Sequence, residues 1–359
     1  MRNKVEGAFR IAGLATLYAV VSGVVLDVFL MRWGGPLGDD YPAVLRFEVA
    51  RPYAYRVLSP AIVNAVTALM PHRAAEWLLS TRLPRSRGGG GALSFALAEH
   101  HWRGEPDLSV LVGIGLMFAA LWGTLWAWRA LAAWALPGRP LLASGAPALA
   151  LLALPATFVG SGFLYDFPDL FFVSVAMWAF VRHKWLLWYA LLPVVVLNKE
   201  ASVLVVAWWL AAIGTLPRRA LWMHLTASVA LGASFVGGLW WSFRSAPGVI
   251  AQGNLDPNLR YWLSFRWLFT SDDLLGLGLT SPVATHIVIL VLLLGAWAYG
   301  RRRVPRLVER MFVVSVLAVT PALLLFGFEN EVRVFAIAFP ALFLLGVGAA
   351  DVSSRTTHA

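Results

Sequence analysis

The side chains of this chain that could do chemistry are carboxylates and guanidiniums, in short groups far apart along the sequence. The first is Asp39-Asp40, at the end of the run Gly34-Gly35-Pro36-Leu37-Gly38 and just before Tyr41-Pro42. Two adjacent carboxylates concentrate negative charge, and one can act as a general base when its partner or a cation adjusts its hold on a proton. The glycines and proline mark a turn, and a solvated turn whose Asp caps the next helix uses the same residues. A second group is Arg51, Tyr53, Tyr55 and Arg56. Guanidinium forks match phosphate oxygens. The same arginines also suit snorkelling to lipid headgroups, and the tyrosines suit a membrane interface. Asp166 and Asp169 open an apolar segment, where one acid complements the helix dipole but two exceed that need. Lys199-Glu200 interrupts another apolar segment, and Glu329, Glu331 and Arg333 share a tight turn. Arg260 and Arg266 flank Tyr261, Trp262 and Trp267, which reads as an interfacial aromatic helix placed to cover a cavity; Asp272-Asp273 reads as a turn.

Other chemistries find no footing. The chain has no cysteine, which removes thiol catalysis, disulfides and thiolate metal sites. Glu99, His100 and His101 are adjacent but lack the i, i+4 spacing of a helical metal pair, and they read as surface residues. No metal site and no cofactor is expected, a divalent ion having no support in spacing. Phosphate-loop, Gly-x-Ser-x-Gly and dinucleotide fingerprints are absent from any usable context.

The elements that must position these groups follow from composition. The 359 residues are 59% hydrophobic and 13% charged, with mean hydropathy +0.71, 18 Trp and 21 Phe. Soluble domains are nearer ~25% charged. A soluble enzyme, a disordered chain and a disulfide scaffold are excluded, and an all-α polytopic membrane bundle is expected. Apolar runs predict about ten spans: 8–30, 107–127, 141–159, 167–181, 185–197, 201–215, 220–242, 283–300, 311–328 and 333–349. The run from Ala8 to Leu30 reads as a retained anchor rather than a cleaved leader. The chain reads as one membrane domain, 1–359, with external loops at 31–106 and 243–282.

Net charge is +10, from 29 Lys and Arg against 19 Asp and Glu. Basic loops facing the cytoplasmic leaflet explain this, and no nucleic-acid partner is expected. With both termini cytoplasmic, Arg129, Arg139, Arg182, Lys184, Arg218, Arg219 and the Arg301–Arg303 run fall inside, as the positive-inside rule demands. That map requires Ser59 to Leu79 not to cross, so it reads as interfacial helices, in keeping with Pro60, Asn64, Pro71, His72, Arg73 and Glu76 within it. It also requires Trp185 to Leu216 to be two short spans hinged at Asn198-Lys199-Glu200. Thirteen residues reach only ~20 Å of a ~30 Å core, so the hinge is expected in a protein-lined pit below the outer surface. Asp39, Asp40, Asp166, Asp169, Glu200, Glu329 and Glu331 then all arrive at one membrane face, defining an outward-facing polar cavity.

This architecture resembles the GT-C superfamily of integral membrane glycosyltransferases. The likeness is carried by a first span leading to an external loop with an acidic motif, by Arg51-Pro52-Tyr53-Ala54-Tyr55-Arg56-Val57-Leu58-Ser59-Pro60 after Gly38-Asp39-Asp40-Tyr41, and by the stretch from Phe328 to Pro340 as a final external turn. No clean Asp-x-Asp is present. The resemblance implies transfer of a sugar, a mannose-type hexose or a pentose, from a polyprenyl-phosphate donor to a lipid, glycan or protein acceptor on the extracytoplasmic face, with inversion. It makes Asp40 or Asp39 the general base. Arg51, Arg56, Tyr55, Lys199 and Arg333, with Arg260 and Arg266 behind them, would face the donor phosphate; Asp166, Asp169, Glu200, Glu329 and Glu331 would meet sugar or acceptor, or hold the arginines. A transporter or flippase of lipid-linked intermediates would use the same cavity without a base. Transporters often show inverted repeats, and no internal repeat is visible in this sequence.

Overall fold

The computed structural model describes residues 2–33, 41–80, 108–157, 163–249, 253–273, 280–327 and 331–351. The described chain is helical apart from one antiparallel hairpin, β1 (Ser271–Asp273) with β2 (Thr280–Pro282), in register Ser271 to Pro282. The all-α expectation holds for the bundle, and the turn expected at Asp272-Asp273 is instead the end of a strand. The helices are α1 (Arg2–Trp33), α2 (Tyr41–Leu45), α3 (Leu58–Leu69), α4 (His72–Ser80), α5 (Leu108–Ala135), α6 (Pro140–Leu152), α7 (Asp166–Val181), α8 (Trp185–Asn198), α9 (Trp208–Ala211), α10 (Arg218–Ser242), α11 (Leu255–Leu263), α12 (Ile287–Gly300), α13 (Arg306–Phe326) and α14 (Phe339–Ala350).

Six described helical segments are long and apolar enough to cross a bilayer: Phe9–Leu30, Leu108–Ala135, Pro140–Thr157, Arg218–Ser242, Arg306–Phe326 and Val332–Ala350. The chain is therefore a membrane-embedded helical bundle. Leu58–Leu69, Trp185–Asn198, Glu200–Ala211 and Ile287–Gly300 are apolar but shorter. At 1.5 Å per residue the 14 residues of α8 span about 21 Å. Helix α5 continues well beyond the expected end at 127, because Trp128, Leu131, Ala132 and Ala135 extend its buried face while Arg129 lies over the Trp126 ring.

The segment 58–80 is two short helices broken at Met70-Pro71, as its prolines require. The segment 185–216 is also broken, at Lys199, whose backbone is extended. The chain then doubles back. Trp188, one turn into α8, packs on Trp208 and Trp209 at the other end of the pair, with ring centroids 5.9 and 6.0 Å apart, and Trp185 lies 5.1 Å from Trp209. After the break, Glu200–Ala207 is a 3-10 helix, and a second one, Val332–Ala338, precedes α14. Runs this long are uncommon for 3-10 geometry and often mark functional hinges.

Large indoles fill the core, and each brings an N–H that an apolar interior cannot satisfy. For four of them, buried serines on neighbouring helices accept it. Trp128 donates to Ser174 (2.9 Å), Trp208 to Ser315 (2.8 Å), and both Trp188 (3.0 Å) and Trp209 (2.9 Å) to Ser228. One hydroxyl can take two donors because it has two lone pairs. Near its C-terminal end α14 crosses α12 closely: a Cβ on Gly300 would overlap the Leu345 carbonyl, and one on Gly348 would sit 2.8 Å from Val304 Cγ1. Arg303 ties this crossing by donating to the carbonyls of Gly348 (3.3 Å), Ala349 (3.4 Å) and Asp351.

The basic segments share one end of the bundle. Arg310 donates to the Ile213 carbonyl (2.7 Å), Arg139 pairs with Asp351 (3.4 Å), and Trp185, beside Lys184, packs on His224 of α10 at 5.0 Å. Helix α7 runs from Asp166 to this end at Val181, α8 runs back from it to Asn198, and α14 finishes there. The starts of α7, of Glu200–Ala207 and of Val332–Ala338 therefore lie together at the opposite end.

Candidate functional site

At that opposite end seven charged side chains from four separate stretches meet. Arg56 follows a 3-10 turn, Tyr53–Tyr55, that leads into α3. Its Nε lies 3.5 Å from Glu200 Oε2, and its Nη1 donates to the Tyr165 hydroxyl. Its guanidinium lies over the rings of Tyr165 (4.4 Å), Tyr53 (5.0 Å) and Phe163 (5.8 Å). Arg333 covers the same Phe163 at 4.9 Å. It pairs with Glu331 at 3.0 Å, and its Nη1 is 3.6 Å from Asp166 Oδ2. Lys199 Nζ is 3.6 Å from the other oxygen, Asp166 Oδ1. Asp166 thus stands between two cations, fixed by the Phe163 N–H (2.9 Å) and placed at the N-terminus of α7, where the helix dipole favours a carboxylate. Asp169, 1% exposed, accepts from Ser202 at 2.7 Å.

These groups are withdrawn from water: Lys199 is 5% and Arg333 9% exposed. Isolated buried charges cost several kcal/mol each, so such a set persists only when its members offset one another. Three cations (Arg56, Lys199, Arg333) face four acids (Asp166, Asp169, Glu200, Glu331). The aromatic faces of Tyr53, Phe163 and Tyr165 add cation–π attraction where solvent is scarce.

Beside the cluster is a small hollow. It is lined by Asp166, Asp169, Lys199, Arg333 and Thr157 together with Phe29, Leu154, Phe167, Leu170, Ala336 and Phe339. Ligand sites are commonly concave and mostly apolar, with a few converging polar groups. A lining of both kinds suits an amphipathic ligand, its polar head near the charged groups and its hydrocarbon against the apolar side chains.

Of the residues singled out from sequence, the structure brings together Arg56, Asp166, Asp169, Lys199, Glu200, Glu331 and Arg333. It sets others apart. Arg260 is spent on Asp256 of its own helix, at 2.8 Å, with side chains 79% and 72% exposed. Arg266 is exposed on the following 3-10 turn. Charge near aromatics did not carry either of them to the cluster. Arg51 binds the Gly248 carbonyl (2.6 Å), and its N–H binds that of Pro247, so it ties the first loop to the second. Tyr55 is buried against Phe243 at 6.4 Å. Asp39, Asp40 and Glu329 lie outside the described residues.

Ser59 and Ser202 did not stand out as site residues in the sequence, and Asn198 entered only as part of the hinge. Ser59, Ser202 and Asn198 are each at most 1% exposed and hydrogen-bonded within or beside the cluster. Their signal was present: uncharged polar side chains inside apolar stretches, within three residues of a charge. No family model, no curated protein and no solved structure matches this chain.

Proposed function

We propose that this chain is an integral membrane glycosyltransferase of the GT-C type, moving a sugar from a polyprenyl-phosphate donor to a lipid, glycan or protein acceptor. On this reading the chain crosses the membrane about ten times, the short helices contributing the remaining spans. Its termini and basic loops are cytoplasmic, and the charged cluster opens to the extracytoplasmic side. The observation that carries the reading is the hollow itself, lined by buried cations and carboxylates together with apolar side chains, at the end opposite the basic loops.

The chemistry runs as follows. Asp40 or Asp39 takes the proton of an acceptor hydroxyl while that oxygen bonds to the anomeric carbon. The bond from that carbon to the phosphate oxygen breaks, and its electron pair leaves on the lipid phosphate. Charge grows on the phosphate, and cations fixed in a water-poor site stabilise it more than water would. Lys199 suits this role best, since its ammonium lines the hollow and lies 3.6 Å from its nearest carboxylate partner, Asp166. Arg333 lines the hollow beside it, held by Asp166 and Glu331, and Arg56 stands behind. Asp166 and Asp169 face the hollow as acceptors for sugar hydroxyls.

The test uses purified protein in vesicles with polyprenyl-phosphate mannose and its pentose counterpart. Transfer or release of the sugar is expected, falling by about 10² or more in Asp40→Asn or Asp39→Asn while both variants stay folded. Full activity in both variants would remove the base assignment, and no turnover with either donor would remove the activity.

A further inference from the structure

Asn198 is the last residue of α8 and is fully buried. Its side chain makes two hydrogen bonds to distant segments. Oδ1 accepts from Ser59 Oγ at 2.6 Å, and Nδ2 donates to the Tyr165 carbonyl at 3.0 Å. The amide orientation is fixed chemically, because a backbone carbonyl can only accept. Each attachment point has a charged neighbour in sequence. Ser59 is three residues after Arg56, Tyr165 immediately precedes Asp166, and Asn198 immediately precedes Lys199. One neutral side chain therefore joins the three backbone stretches that present Arg56, Asp166 and Lys199.

We infer that Asn198 is a positioning residue for the proposed reaction: it sets the relative placement of Arg56, Asp166 and Lys199, and through them the affinity for the donor phosphate. The inference rests on the glycosyltransferase reading for its consequence, but the clamp itself does not. No other side chain of this size serves both ends. Aspartate accepts from Ser59 but cannot donate to Tyr165, and leucine does neither. The ion pairs alone do not fix the spacing. At 3.5 and 3.6 Å they tolerate movement that two short hydrogen bonds do not.

The absence of cysteine allows a direct test. Ala61 on α3 and Ala201 after the hinge are both exposed. Spin labels at Ala61→Cys and Ala201→Cys report the spacing of the two segments in otherwise native full-length protein. A narrow distance distribution is expected in the parent and a clearly broader one on adding Asn198→Leu. Ser59→Ala, which removes one bond and little volume, should broaden it less. In parallel, half-saturation by polyprenyl-phosphate mannose should rise about tenfold in Asn198→Leu and less in Ser59→Ala, as the cations lose their preset spacing, with kcat little changed. A residue that merely stabilises the fold would lower the melting temperature and leave KM alone. Unchanged widths, or unchanged KM in folded protein, would overturn the inference. Should Asn198→Leu fail to fold, Ser59→Ala decides. Should the parent turn over neither donor, the proposed activity fails, and the label widths still judge the clamp.

Discussion

The Arg333 side chain is 10% exposed and held by Asp166 and Glu331, whereas the Arg260 side chain is 79% exposed and paired with Asp256 on its own helix. The two side chains are identical in kind and opposite in consequence. Removing one member of a buried pair leaves its partner desolvated, at a cost of about 3–5 kcal/mol. An exposed i, i+4 pair is worth about 0.3–0.5 kcal/mol. Asp166→Asn should accordingly lower resistance to unfolding in detergent by several kcal/mol, on the order of that cost. Arg260→Ala and Arg266→Ala should leave both unfolding and donor half-saturation at parental values. A strong donor defect in either exposed arginine would refute that separation of cluster from periphery. Sequence alone could not draw that division, because residue type does not reveal which partner desolvates a charge. The one legible hint was Asp256 four residues ahead of Arg260, the spacing of a self-satisfied helical pair.

At the scale of elements, apolar runs and their breakers carried most of the information. Pro71 and Lys199 mark real breaks, and the doubling-back of α8 was readable from the need to keep Arg182 and Arg218 on one side. The two 3-10 helices were not readable, since Glu200–Ala207 and Val332–Ala338 have the same apolar composition as α-helical spans. Nor was the pairing of indoles with serines, which depends on helix neighbours rather than on spacing along one helix. That pairing gives a prediction. Ser228 serves two buried Trp N–H groups, so Ser228→Ala strands both, and each buried donor without a partner costs about 1–3 kcal/mol. Ser234→Ala, an exposed hydroxyl bonded only to the Ala230 carbonyl of its own helix, is the control. Equal unfolding curves for the two variants would show that the indoles find other acceptors.

For the whole molecule the decisive arrangement is polarity along the bundle axis, with exposed Arg182, Lys184, Arg218, Arg219, Arg302 and Arg306 at one end and the sunken mixed-charge cluster at the other. Positive charge in short loops holds its face against the cytoplasmic leaflet. In intact cells a membrane-impermeant thiol reagent should label Ala201→Cys and spare Arg219→Cys. The reverse pattern would invert the protein in the membrane and put the proposed lipid-phosphate chemistry on the wrong side.

The crossing at Gly300 and Gly348 bears on inheritance as well as on packing. Arg333 begins the segment that finishes at this crossing, about 25 Å away by the rise of its 3-10 and α-helical turns. Because a methyl group at Gly300 has nowhere to go, a substitution there must push the last helix along or away, carrying the distant guanidinium with it. Gly300→Ala should therefore behave like a lesion in the hollow itself, and a random screen for alleles without the proposed activity would place hits at both ends of the bundle while the charged cluster occupies only one.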